Sequence, residues 1–193
     1  MSKEEQFTLA TDISLAALTG DGVFNFGEIT TTPILASALG NTSNAWLMEL
    51  VHCFAQGDVD AFQRITDQYS SAIGAQPALV SRAEVVKEKI TLLALVSMIF
   101  ERPSNERTLT FEEIASRTKL ASAEKDVELL VMRALSLGLI KGCMDQVDQT
   151  LDVDWVMPRV LDETQLRALS ERFGEWAVKV SKTREFMVEN SAA

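Results

Sequence analysis

The chain has 193 residues, 47% of them apolar and 24% charged, so it is long enough to bury a sizeable core and has an ordinary globular composition. Its 18 Lys and Arg residues against 28 Asp and Glu residues give a formal net charge of −10, which disfavours binding to a phosphate backbone. One His and two Cys are too few for a usual zinc site. We therefore expect no metal and no cofactor.

The two cysteines and the apolar segments indicate in which cellular compartment the protein is found. The first residues do not resemble a signal peptide, and the longest apolar segment, residues 90–100, is too short to span a bilayer. Cys53 and Cys143 both lie in apolar stretches of the sequence, which predicts two reduced core thiols. These features favour a cytosolic or nuclear protein that makes no contact with a membrane.

Residues 1–80 have the pattern of short helices joined by tight turns. The clearest pair is a helix over residues 44–56, which Gly57 ends, and a second amphipathic helix that Asp58 caps. A helical hairpin of this kind is the unit of helical solenoids, so a TPR-like helical-repeat segment is predicted. In the first helix the predicted buried face consists of Leu9, Ile13, Ala16 and Ala17.

Residues 81–160 change in character. A capping box beginning at Ser81 predicts the start of a long buried helix that ends near Glu101. A short strand, a helix capped by Thr110, a helix capped by Ser122 and two further strands follow it. This order of helix, strand, helix, helix, strand, turn and strand is that of a winged helix. Together with the short helices of residues 1–80, it predicts a chain that is mainly α-helical.

The last two predicted strands cover residues 139–144 and 151–155. In the second of them, alternation predicts that Asp152 and Asp154 face solvent. The buried face is predicted to consist of Leu151, Val153 and Trp155.

Residues 161–193 carry a stripe of apolar residues at steps of three and four over about three heptads, interrupted at Thr183. A helix from Asp162 to Glu189 would be about 42 Å long, which is more than a domain of this size needs to cover its own core. Packing on partner helices is therefore favoured, and a plain core stripe is the alternative. The stripe consists of Leu166, Leu169, Phe173, Trp176, Val180 and Met187.

The sequence contains no Gly-rich phosphate loop, HExxH pair or GxSxG elbow. The pairs Glu112–Glu113 and Asp152–Asp154 are interpreted as a helix cap and a solvated strand face, so an enzyme is not predicted. The helix that would read DNA begins with three acids and one Lys between Ser122 and Glu128, where a groove reader needs Arg, Lys, Asn or Gln. This surface favours protein contact over nucleic acid.

Several sequence segments, taken in order, resemble segments of a known protein family. They are residues 25–28, 54–58, 88–93, 109–115, 127–135, 138–142 and 155–162. Together with a helical repeat that leads into a winged helix and a long C-terminal helix, they resemble the PCI domain. That domain is shared by the proteasome lid, the COP9 signalosome and a translation initiation factor complex. These sequence segments are most similar to those of a subunit of the proteasome lid, and the resemblance covers roughly residues 20–190.

The resemblance implies a non-catalytic scaffold subunit of the proteasome lid that acts in lid assembly and thus in ubiquitin-dependent protein degradation, in the cytoplasm and nucleus. A scaffold subunit of a sister complex and a winged-helix nucleic-acid binder are the alternatives. The family carries a longer N-terminal helical array, so we expect this chain to correspond to the C-terminal half of a family member.

The resemblance also implies the partners. Other PCI subunits would bind at the winged-helix sheet edges, placed near residues 140–144 and 151–155, and helices of other lid subunits would bind the C-terminal stripe. The candidate contact residues of the winged helix are Lys141, Cys143, Asp152 and Asp154.

Overall fold

The computed structural model describes residues 3–40, 44–103, 106–122, 125–160 and 163–191. The chain divides into two compact units, Met1–Pro158 and Arg159–Ala193. The first unit begins with α1 (Lys3–Thr19), α2 (Phe26–Thr30), α3 (Pro33–Leu39), α4 (Ala45–Gln56), α5 (Val59–Gln68), α6 (Ser70–Gly74), α7 (Pro77–Ser81) and α8 (Ala83–Glu101). It continues with β1 (Thr108–Thr110), α9 (Phe111–Thr118), α10 (Lys125–Ser136), β2 (Ile140–Asp145) and β3 (Thr150–Val156). The second unit contains α11 (Glu163–Ser191).

The helical part packs around α4, which buries its apolar stripe. The Phe26 ring of α2 lies 5.1 Å from the Phe54 ring of α4. The predicted hairpin of α4 and α5 is confirmed: Gly57 has φ 72°, and Asp58 accepts a hydrogen bond from the Ala61 amide at 3.0 Å. A glycine is needed here because a Cβ at Gly57 would lie 2.7 Å from the carbonyl oxygen of Leu93 in α8.

Helix α1 turns a different face to the core from the one predicted. Its buried residues are Ala10, Ser14, Ala17 and Leu18, whereas Leu9 and Ala16 are exposed. The prediction was wrong by one position, because it excluded the polar Ser14 from the buried face. The Ser14 hydroxyl donates to the carbonyl of Ala10 at 2.8 Å, which satisfies it inside the core.

Helix α8 belongs to two apolar clusters. Its first half contributes Val86, Ile90 and Leu93 to the core of the helical part. Its second half contributes Leu92, Leu95, Val96 and Ile99 to the core of the winged helix. Between Leu92 and Phe100 the helix is apolar nearly all round, as the sequence of that stretch predicts. The predicted capping box at its start is wrong: the Ser81 hydroxyl donates to the Ala78 carbonyl of α7, and α8 begins without a side-chain cap.

Lys89 of α8 is a buried cation that no sequence pattern predicted. Its Nζ donates to the carbonyls of Ala17 and Gly20 at 2.9 and 2.6 Å, and so caps the C-terminal end of α1. The rings of Phe24 and Phe26 lie within 5.8 and 5.6 Å of it. Burial lowers the pKa of Lys89 to about 8. This side chain therefore fastens α1 to α8.

The second half of the first unit has the predicted winged-helix order. The predicted cap of α9 is confirmed: Thr110 Oγ1 accepts from the Glu113 amide at 3.3 Å, and Glu113 Oε2 accepts from the Thr110 amide at 3.1 Å. Ser122 likewise accepts from the Lys125 amide at 3.4 Å at the start of α10. Glu124, one of the three acids predicted at the start of this helix, lies outside the described residues.

The sheet has the order β1-β3-β2 with both pairs antiparallel. Strand β3 is therefore the middle strand, and the expectation that residues 151–155 form a sheet edge is wrong. The edge strands are β1 and β2. The order follows from a long-range pairing that places Leu109 opposite Leu151, which no local pattern reveals.

A β-bulge changes which side chains of β3 are buried. Lys141 pairs with Trp155 and Gly142 with Val153, so Asp154 is an extra residue on β3. Leu151 and Val153 are buried as predicted, but Trp155 is 39% exposed and the next residue, Val156, is buried instead. The prediction of a buried Trp155 is wrong because the extra residue shifts the alternation by one position.

The described part of the second unit contains one long helix. Helix α11 has 29 residues, and its length is thus about 43 Å. This agrees with the predicted helix. Asp162, which was predicted to start it, lies outside the described residues.

Candidate protein-docking surfaces

The outer face of the sheet gathers side chains from all three strands. We call Thr108, Lys141, Cys143, Asp152 and Trp155 the sheet face; all five are exposed. The register places Cys143 opposite Asp152 and Asp152 opposite Thr108, whose hydroxyl donates to the Asp152 carboxylate. Lys141 lies opposite Trp155, with its Nζ 5.2 Å from the ring centre. The sheet face is thus a polar surface with one aromatic side chain.

Strand β2 forms the margin of this face. Within the described sheet β2 pairs only with β3, so its other side is open to a further strand or to a neighbouring helix. Its backbone lies very close to β3, because a Cβ added at Gly142 would come within 2.0 Å of the Asp152 carbonyl oxygen. Glycine at this position therefore shapes the margin.

The wing tip is a fixed turn. Asp145 Oδ1 accepts hydrogen bonds from the amides of Val147 and Asp148 at 2.9 and 3.0 Å. Val147 is 91% exposed between these acids. Gln146 donates to Glu128 of α10 at 3.2 Å, which ties the wing to that helix. The acidic tip would repel a phosphate backbone.

Helix α10 exposes two of its apolar side chains. Leu130 and Val131 are buried, but Leu129 and Met132 are 62% and 44% exposed. The run of four apolar residues is divided because Leu130 and Val131 lie on the face of α10 that packs in the winged-helix core, whereas Leu129 and Met132 lie outside that face. Arg133 on the exposed side donates to Glu88 of α8 at 2.9 Å.

Three of the four predicted winged-helix contact residues, Lys141, Cys143 and Asp152, lie together on the sheet face. Asp154 is exposed in the bulge. Trp155 was not among the predicted contact residues. Its place on the sheet face follows only from its pairing with Lys141.

The two cysteines differ sharply in environment. Cys143 was predicted to be a core thiol, and this is wrong: it is exposed, because β2 turns it to the outer face. Cys53 is buried as predicted, and its thiol donates to the Asp58 carbonyl at 2.8 Å. Burial, together with the nearby Asp58 carboxylate, raises the pKa of Cys53 to about 12. The thiol is therefore a structural group with little nucleophilic character.

Helix α11 carries the predicted stripe, which we call the seam: Leu166, Leu169, Phe173, Trp176, Val180 and Met187. All six side chains are exposed, from 37% at Leu169 to 65% at Trp176. Large apolar side chains with such exposure along one helical stripe are typical of surfaces that pack on other helices.

Two structural features are absent from the described residues. No group of three His, Cys, Asp or Glu side chains there lies close enough to hold a metal ion. Among the described helices, none combines the length and the apolar character that crossing a membrane requires.

Comparison with known proteins agrees with this architecture. The family model "PCI domain" matches residues 66–155, and the model "PSD13 N-terminal repeats" matches residues 1–51. Residues 66–155 of this chain thus form a PCI domain, in agreement with the mainly helical fold that ends in a winged helix.

Individual relatives give a more specific similarity than the family models. The chain is 41% identical over 183 residues to "26S proteasome non-ATPase regulatory subunit 13 homolog B" of Arabidopsis thaliana, covering 95% of this chain and 47% of that protein. It is 37% identical over 190 residues to "26S proteasome non-ATPase regulatory subunit 13" of Dictyostelium discoideum, covering 98% and 48%. A more distant relative, at 28% over 175 residues (91% and 37%), is "Eukaryotic translation initiation factor 3 subunit M" of Aspergillus terreus. The chain spans about half the length of the curated relatives that it matches.

Proposed function

We propose that the chain is part of a structural subunit of the 26S proteasome regulatory particle, in its lid, and acts in ubiquitin-dependent protein degradation. The observation that carries this proposal is the 41% identity to a relative named as a proteasome regulatory subunit, along 95% of the chain. A cytoplasmic and nuclear location is part of the proposal. The two free cysteines are compatible with a reducing compartment.

A non-catalytic role also belongs to the proposal. The relatives are named non-ATPase regulatory subunits. The Cys53 thiol has a raised pKa, and the most prominent surfaces described are an open strand margin and an apolar helix. Open surfaces of this kind support docking, whereas catalysis needs groups that converge in a cleft.

Each of the two units is proposed to make one contact with partner subunits. The β2 margin and the sheet face would bind the winged helix of a neighbouring PCI subunit, with Lys141, Cys143, Asp152 and Asp154 in or beside the contact. The seam of α11 would pack into a bundle with helices of other lid subunits. The division into a repeat segment over residues 1–80, a winged helix over 81–160 and a bundle helix over 161–193 is part of this proposal.

Affinity purification of the tagged chain from cells that encode it, with quantitative mass spectrometry, tests the proposal. We expect other proteasome regulatory subunits to be enriched. Trp176→Ser in the seam should reduce this enrichment, whereas Val178→Ser should not. Val178 is the matched control because it is 55% exposed on α11 but lies outside the seam.

The similarity to translation initiation factor 3 subunit M makes a sister complex the second candidate. Enrichment of subunits of that factor without proteasome subunits would favour it and contradict the lid assignment. Retention of the chain on duplex DNA at physiological salt would instead favour a nucleic-acid binder, against the acidic charge of the wing tip.

A further inference from the structure

The charged residues beside the seam are all basic. With Leu166 at heptad position a, the two positions that flank the apolar stripe are e and g. Between Leu166 and Met187, the charged residues at those positions are Arg172, Lys179 and Arg184. The acids of the same stretch, Glu171, Glu175 and Glu185, occupy the outer positions c and f. A chain with a net charge of −10 thus surrounds this apolar stripe with positive charge.

These three cations are available to a partner. All three side chains are exposed, and none of them takes part in an ion pair among the described residues. Glu175 lies four residues before Lys179, a favourable spacing on a helix, yet the two side chains form no ion pair.

The arrangement disfavours pairing between two copies of the chain. In a parallel pair, position g of one helix faces position e of the other, which would bring Lys179 opposite Arg184. In an antiparallel pair, e faces e and g faces g, so like charges meet again. A helix with acids at its flanking positions meets attraction in either orientation.

We propose that the seam binds a helix of another polypeptide that carries Glu or Asp at the positions beside its own apolar stripe. This rests on the proposed function, in which the seam is a docking surface, and it adds the chemistry of the partner. The apolar residues of the seam supply most of the affinity, and Arg172, Lys179 and Arg184 select the partner by charge.

Two synthetic helical peptides of about four heptads, with Leu at a and d, test the selection. One carries Glu at e and g, and the other carries Lys there. At low ionic strength we expect the 193-residue chain to bind the Glu peptide at least about tenfold more tightly than the Lys peptide, with a smaller ratio in high salt. Fluorescence anisotropy of labelled peptides measures both affinities.

Variants of the chain make the test specific. The triple variant R172E/K179E/R184E should reverse the preference, and R172Q/K179Q/R184Q should abolish it. The control R167E/K182E changes basic residues of the same helix at positions b and c, and it should leave the preference unchanged. Circular dichroism verifies that each variant keeps its helix content.

The outcomes separate this proposal from the docking function. Equal binding of both peptides, lost in Trp176→Ser, would overturn charge selection and leave the seam as a docking surface. Binding that survives Trp176→Ser would contradict the docking function itself. Self-association of the chain in sedimentation, or tighter binding to phosphatidylserine vesicles than to the Glu peptide, would overturn the proposed partner.

Discussion

Lys141 and Trp155 lie directly opposite each other on β2 and β3, with Lys141 Nζ 5.2 Å from the centre of the indole ring. The bulge at Asp154 produces this pair, because regular alternation after Val153 would have placed Trp155 in the core. Tryptophan is among the residues that most often dominate the binding energy of protein interfaces. The open margin of β2 lies next to the pair, so strand and side chains offer a partner one continuous surface.

Substitution of Lys141 should separate docking from folding. We expect Lys141→Glu to lower the free energy of unfolding by no more than about 1 kcal/mol, since an exposed cation–π contact is weak. The same change should reduce co-purification of partner subunits. Urea denaturation and quantitative pull-down measure the two effects. Lys87→Glu, which reverses an exposed Lys of α8 outside the proposed docking surfaces, is the control and should preserve partner binding.

Substitution of the neighbouring Ile140 should, in contrast, disrupt folding. It is buried in the winged-helix core, so Ile140→Asp should cost roughly 3 kcal/mol or more and unfold much of the domain. Thermal denaturation followed by circular dichroism measures the loss. A melting temperature of Ile140→Asp equal to that of the wild type would contradict the packing described for β2.

Gly142 should be intolerant of a side chain. A Cβ there would come within 2.0 Å of the Asp152 carbonyl oxygen, so Gly142→Ala must push β2 away from β3, at a cost of about 2–4 kcal/mol. Gly74→Ala is the matched control, because no atom lies within 4 Å of its added Cβ and its φ is not positive. We expect that control to change stability by less than about 1 kcal/mol. Equal denaturation midpoints for the two variants would refute the close approach of the strands.

The two thiols should react with a disulfide reagent at very different rates. Cys143 is exposed and should be labelled rapidly in the native protein at pH 8. Cys53 is buried with its pKa raised to about 12, so it should react only when the chain unfolds. Mass spectrometry after timed labelling identifies the site. Cys143→Ser should abolish rapid labelling, and rapid modification of Cys53 in that variant would show that the α4–α5 packing opens readily.

The sequence predicted the local elements well, because their signals lie within a few residues. Thr110 and Glu113 are three residues apart, and the bonds between them depend on little else. Asp58 caps α5 for the same reason. The seam of α11 also needs only a heptad pattern. In each case the residues that determine the structure are neighbours in the chain.

The errors arose where distant segments decide the structure. Trp155 is exposed because the pairing of β2 with β3 contains a bulge, and the alternation of β3 alone gives no sign of it. The middle position of β3 depends on its pairing with β1, whose residues lie 40 to 44 positions earlier in the chain than their partners. Ser81 has the sequence of a cap but is the last residue of α7, where its hydroxyl bonds within that helix. Tertiary context overrode a correct local pattern in all three cases.

Lys89 gives a prediction on pH. Burial lowers its pKa from 10.5 to about 8, whereas in the unfolded chain the amine titrates near 10.5. Between these pH values the unfolded state binds more protons than the folded state, so the free energy of unfolding rises with pH. At about 1.36 kcal/mol per pKa unit, Lys89 contributes a rise of up to roughly 3 kcal/mol between pH 8 and 10.5.

Comparison with Lys89→Met isolates this contribution, because the other titrating groups are common to both proteins. The variant should be less stable at neutral pH, by about 1–3 kcal/mol, since the carbonyls of Ala17 and Gly20 lose their donor. Urea denaturation at several pH values gives the difference in free energy of unfolding, and wild type minus variant should increase from pH 8 to 10.5. A difference independent of pH would mean that the two carbonyls, which favour the ammonium form, offset the cost of its burial and keep the pKa of Lys89 near 10.5.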